Sequence, residues 1–196
     1  MSNDNELSYQ EMMILSLYRK LFGKCYDCEE ACTNNQGIIQ KHIDAQKVGF
    51  IFCVLGIPVG DYNFSWDLAG PYSSTLQNIL REVDKKGKEV REFYKDNDDV
   101  ILRDLLNNDY QISLINKMCG ALGQSVQKDE KGAELLGSLL YISSKVMPFY
   151  GLSRVKKELI RRKNFFGDTD YISKIDKAWE QLEELGLVPS SAEVGS

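Results

Sequence analysis

The residues best suited to chemistry are Cys25, Cys28 and Cys32, followed by His42, the only histidine in the chain. Three thiolates and one imidazole form a donor set for structural zinc, and four protein ligands would leave no open position for a reacting water. The same spacing also places the cysteines at i, i+3 and i+7 of a helix, where they would face a neighbouring helix as small apolar groups. No second Cys-x2-Cys knuckle accompanies them, and an iron–sulfur cluster is a poorer fit to the run. A metal-dependent enzyme is thus one alternative reading, and no metal or cofactor is assigned. Cys53 and Cys119 sit in apolar surroundings and read as buried small hydrophobes.

Catalytic motifs are otherwise missing. The chain has no Gly-x-Ser-x-Gly elbow, phosphate-cradling Gly-rich loop, dinucleotide fingerprint or His-Glu-x-x-His helix. His42 has no recognisable nucleophile beside it, and no spacing singles out a pair of carboxylates for acid–base work. No catalytic residue is expected.

Two other segments stand out. Between Arg154 and Lys163 the cations Arg154, Lys156, Lys157, Arg161, Arg162 and Lys163 face one anion, Glu158, for a local charge of 6 − 1 = +5. On a helix Val155, Leu159 and Ile160 would turn inward, leaving the basic residues spread over the outer surface for a nucleic-acid backbone or an acidic partner. The alternative is a solvated basic face. The second segment alternates Tyr62, Phe64, Trp66 and Leu68 with Asn63, Ser65 and Asp67, the period of a half-buried strand, and then meets Gly70-Pro71-Tyr72-Ser73. Proline fixes its own φ and Ser73 can cap a following helix, so the expected result is a rigid corner after one short strand or a small hairpin. Trp66, Asp67, Gly70, Pro71, Tyr72 and Ser73 are the candidate partner-binding residues, against a purely structural use of the corner.

Helices must position these segments. Apolar spacing predicts helices over 7–22, closed by Gly23, over 38–55, the candidate central core helix, and from Ser73 or Ser74 to about 94, weakened at Gly87. Further helices are expected over 100–106, 109–122, 134–146, 153–163 and 170–185, with a polar loop over 124–131. No internal repeat or linker appears. The expected architecture is mainly α, a single helical domain over 1–188 with a frayed tail over 189–196.

The 196 residues carry 24 Lys plus Arg against 29 Asp plus Glu, a net charge of −5, which argues against a whole surface that coats nucleic acid or anionic membrane. The apolar run over 48–59, broken by glycines and Pro58, is too short to span a bilayer, and the first six residues carry no export signal. Five cysteines, an odd count, then fit a reducing cytoplasm rather than a disulfide framework.

The helix segment Gln46-Lys47-Val48-Gly49-Phe50, the turn, the aromatic strand and Ala69-Gly70-Pro71-Tyr72-Ser73 with Leu76 resemble the Gly-Pro-Tyr-Ser core of the YwgA-like family of small prokaryotic proteins. The same corner is more distantly similar to SocA-like or Panacea antitoxin domains. The resemblance covers roughly residues 41–81, with a weaker echo over 135–187; the cysteine segment and the acidic stretch over 95–109 depart from it. It implies a helical, non-enzymatic accessory or antitoxin-like protein of a toxin–antitoxin or antiviral defence system, acting on a protein partner in the cytoplasm. A nucleic-acid-binding component using the basic helix is the first alternative.

Overall fold

The computed structural model describes residues 6–26, 35–95, 98–129 and 131–190. Among these, α1 (Tyr9–Phe22), α2 (Asn35–Val54), α3 (Ser74–Lys85), α4 (Gly87–Phe93), α5 (Asp98–Leu106), α6 (Asp109–Lys128), α7 (Gly132–Tyr141), α8 (Leu152–Arg162) and α9 (Thr169–Glu184) surround one hairpin, β1 (Ser65–Asp67) and β2 (Gly70–Tyr72). The protein is mainly α with a small hairpin, as its sequence predicts. No described helix is long and apolar enough to cross a membrane.

Local signals set the first helix. Ser8 accepts from the Glu11 amide while the Glu11 carboxylate accepts from the Ser8 amide, and Gly23 closes the helix in the left-handed region at φ 66°. The last turn of α1 then receives help from afar, because the Gln127 amide donates to the Leu21 carbonyl at 3.1 Å. That contact, with Val126 buried, carries α6 on to Lys128 through the stretch expected as a polar loop. Packing outweighs local polarity there.

The expected helix up to residue 94 is two helices that break at Lys86, whose ammonium reaches the Glu6 carbonyl at 2.8 Å and the Glu11 carboxylate at 2.9 Å. The acidic stretch that follows is tied to α1, with Arg19 on Asp98 and Lys20 on Asp99, both at 2.7 Å.

The centre of the core is α7 rather than α2. Every residue from Gly132 to Leu140 is buried, and α7 touches α2, α6, α8, α9 and β2. Its small residues allow this: a Cβ on Gly137 would lie 3.0 Å from Lys47 Cδ, so the Lys47 side chain of α2 packs directly on the α7 backbone. After α7 the helix widens into a π turn, Ile142–Val146, and the chain turns through Pro148 and Phe149 into α8.

Candidate functional site

The hairpin is the point where the sequence signals converge. Its register pairs Ser65 with Tyr72, Trp66 with Pro71 and Asp67 with Gly70, leaving Leu68 and Ala69 as the turn. Gly70-Pro71-Tyr72 is therefore the second strand itself, not the corner that ends a strand. β2 tolerates proline because it lies at an edge of a two-stranded sheet. Burial alternates from Asp61 to Asp67 as the period-two pattern predicts, but pairing is limited to three residues by the length of β2. Leu68 and Ala69 keep negative φ, and the left-handed position falls on Gly70 at φ 94°. A Cβ there would also stand 2.6 Å from Ser138 Oγ on α7, so backbone conformation and space both require glycine.

Two neighbouring side chains of α2 grip this strand. The Gln46 amide nitrogen donates to the Ser73 carbonyl and the Ser73 amide donates to Gln46 Oε1, each at 2.9 Å, while Ser73 Oγ accepts from the Leu76 amide at the start of α3. Lys47, only 1 % exposed, donates from Nζ to the Pro71 carbonyl at 2.8 Å. From the other side Lys163 Nζ donates to the Leu68 carbonyl at 2.7 Å and forms a buried ion pair with Glu134. The Trp66 ring contacts the Tyr141 ring, 5.6 Å away, and lies under the Arg162 guanidinium, 4.9 Å from its centroid. Gly70, Pro71 and Ser73 are thus buried elements of a lock, whereas Trp66 and Tyr72 are half-buried and Asp67 is exposed.

Burial lowers the Lys47 pKa to about 7, and the nearby Lys163 charge pushes the same way against Glu134, Asp44 and Asp67. The sign follows directly. Below about 7 the folded protein carries the full penalty of a buried ammonium, and the penalty is relieved as pH rises from there toward the ordinary lysine value of 10.5. Stability should therefore climb through this window more steeply in the parent protein than in Lys47→Met. Urea unfolding of both proteins across the window checks this; parallel profiles would exclude the effect.

A cleft of about 310 Å³ opens between α2 and the hairpin turn. Ile39 and Ile43 form one wall, Leu68, Ala69 and Tyr72 the other, with Gln46, Lys47, His42 and Gln77 toward its floor and side. Both ring nitrogens of His42 are engaged: Gln77 Nε2 lies 2.7 Å from Nδ1, and Asp84 Oδ2 lies 2.7 Å from Nε2. With the Gln77 nitrogen as donor, Nδ1 accepts and Nε2–H donates to Asp84. Burial raises the Asp84 pKa, but hydrogen bonds from His42 and Lys41 outweigh it and hold the carboxyl below its ordinary value. His42 is therefore fixed as a structural bridge between α2 and α3.

The alternative zinc set, Cys25, Cys28, Cys32 and His42, falls partly outside the described residues, since Cys28 and Cys32 lie there. Cys25 is described and half-buried, and no group of three or more potential ligands that could hold a metal occurs among the described residues. Burial pushes the Cys53 thiol up to about 11, with Asp61 adding to the effect, and the Cys119 thiol up to about 12. Both are poor nucleophiles at neutral pH.

Of the six cations expected on the outer surface, Arg154, Lys157 and Arg161 are exposed, Lys156 and Arg162 are half-buried and Lys163 is buried. Lys156 pairs with Asp176 at 2.5 Å, Arg161 and Arg162 share Glu158 at 2.7 and 2.6 Å, and Lys163 is buried against Glu134. Only Arg154 and Lys157 of the six lack an ion pair among the described residues. Hydrogen bonds from Arg161, then burial acting oppositely, then Arg162 set the Glu158 pKa, which falls to about 2.

A second groove of about 680 Å³ runs between α6, α7 and α9, lined by Gly120, Ala121, Gly132, Leu135 and Gln181. Lys174 and Asp129 on its lining form an ion pair at 2.6 Å. The small residues that open this groove lie on separate helices, so no single sequence pattern announced it.

In comparisons with known proteins, no family model, no curated sequence and no solved structure gives a significant match to this chain.

Proposed function

We propose that this protein is a non-enzymatic binding protein that receives an apolar segment of a protein partner in the cleft between α2 and the hairpin. The observation that carries this reading is the state of the cleft's two lips. Leu68 is 93 % exposed at the hairpin turn and Ile39 is 59 % exposed on α2, while Gln46, Lys47, His42 and Gln77 are engaged internally and the lining carboxylate Asp67 is exposed. An exposed aliphatic side chain on either side of a formed cleft suits burial of a third apolar side chain. Turnover would instead call for a set of converging acid, base or nucleophilic groups, and the cleft offers one exposed carboxylate, Asp67, beside side chains already engaged with one another. The resemblance of the Gly-Pro-Tyr-Ser segment to YwgA-like and SocA-like proteins supports the narrower reading, an antitoxin-like or defence-associated accessory protein of the prokaryotic cytoplasm.

The test begins with the complex isolated from the native host, followed by reconstitution with the purified partner. Leu68→Asp and Ile39→Asp, both on exposed side chains, should leave the thermal transition unchanged and weaken partner binding at least about tenfold, as expected when a charge enters an apolar contact. Undiminished binding by both variants would place the partner elsewhere and end this reading.

A further inference from the structure

The turn between the π segment and α8 holds a feature that the cleft does not use. Phe149 has φ 76° and is 87 % exposed, a pairing of strained backbone and solvated ring that a bulky residue seldom adopts. Asn107, the other described non-glycine residue with positive φ, follows α5 where asparagine commonly ends a helix. Phe149 has no such excuse. Beside it Tyr150 is 39 % exposed and lies under the Arg154 guanidinium, 4.8 Å from the ring centroid. Lys157 follows Arg154 by three residues on α8, and Lys145 lies in the last turn of the π segment, one residue before its end at Val146. Lys145, Arg154 and Lys157 have no ion pair among the described residues, although the other cations of α8 do.

We propose that Phe149, Tyr150, Arg154, Lys157 and Lys145 form a contact surface for single-stranded nucleic acid. An exposed ring can stack on a base of any sequence, and the unneutralised cations within eight residues of it along the chain can meet phosphates. A duplex offers no open base face to Phe149. An anionic membrane would meet, besides Phe149, only the partly exposed Tyr150 and Val146, a small apolar area for holding a peripheral protein on a bilayer.

The whole chain is titrated, by fluorescence anisotropy, against a labelled oligo-dT of about 12 nucleotides, within the span a single binding face covers. The expected log–log salt slope is about −2, from three phosphate contacts at roughly 0.7 each. Phe149→Gly should weaken binding about tenfold or more, as loss of one stacked base does. The same substitution should fold at least as well as the parent, because glycine accepts this φ without strain. Phe149→Trp should retain binding, and Arg154→Gln with Lys157→Gln should flatten the salt slope. Undetectable oligo-dT binding, equal affinity for a duplex of the same length, unchanged binding by Phe149→Gly, or binding only to phosphatidylserine vesicles would each overturn the proposal. Because the readout involves neither Leu68 nor Ile39, it stands or falls separately from the cleft.

Discussion

Replacing Gly70 with alanine should destabilise the protein by about 3 kcal/mol, combining a left-handed backbone cost with steric strain at a packed position. The two contributions are separable. At φ 94° any Cβ is strained, and that Cβ would also stand 2.6 Å from Ser138 Oγ. Ser138 Oγ is buried and makes no hydrogen bond among the described residues, so Ser138→Ala alone should be close to neutral. In Gly70→Ala with Ser138→Ala the clash is removed and the backbone strain remains, so roughly half of the loss should return, a coupling of about 1 to 2 kcal/mol. Urea unfolding of the four proteins measures it. If Gly70→Ala unfolds at the parent's midpoint, or if Ser138→Ala returns nothing, the fit of β2 against α7 is not as described.

Lys163→Met should cost about 2–3 kcal/mol, below the full range for breaking a buried ion pair, because Glu134 keeps Lys131 as a second cation at 3.0 Å. Lys163 and Glu134 are both nearly inaccessible, and the same ammonium holds the Leu68 carbonyl at the hairpin turn. Replacing both members, Lys163→Met with Glu134→Leu, should recover part of the loss, because the buried carboxylate left with only the partly exposed Lys131 is gone while the Leu68 carbonyl still lacks its donor. Lys157→Ala, on the exposed face of the same helix, should change stability by less than about 0.5 kcal/mol. Equal effects of Lys163→Met and Lys157→Ala would mean that Lys163 is a surface cation after all. The predicted contrast matters for function, since a hairpin that loses its Lys163 anchor also loses the placement of Leu68 at the cleft.

Both predictions concern residues that sequence reading assigned to contact with a partner. In the Gly-Pro-Tyr-Ser segment the residue types set the backbone, Gly70 by reaching φ 94° and Pro71 by fixing its own φ. The segment's role differs because Gln46 and Lys47, in the neighbouring part of the same resemblance, are the groups that bind its backbone. Only contact across α2 and β2 reveals the pairing. For the basic segment, part of the neutralisation was legible: Glu158 precedes Arg161 and Arg162 by three and four residues, the spacing at which helical charges meet. The remainder was not legible, since Asp176, Glu134 and the Leu68 carbonyl come from other elements.

By itself the sequence determined the mainly helical class, the stop of α1 at Gly23, the helix start at Ser73 and the alternating burial before the hairpin. Each depends on interactions within a few residues, through periodicity, a capping hydroxyl or an allowed φ. Tertiary structure decided that α7 is the centre, that α6 runs on to Lys128, that Gly70–Tyr72 is a strand and that few cations of α8 stay free. Those outcomes depend on which distant groups share a buried space, where an unpaired charge or carbonyl is costly enough to override local preference.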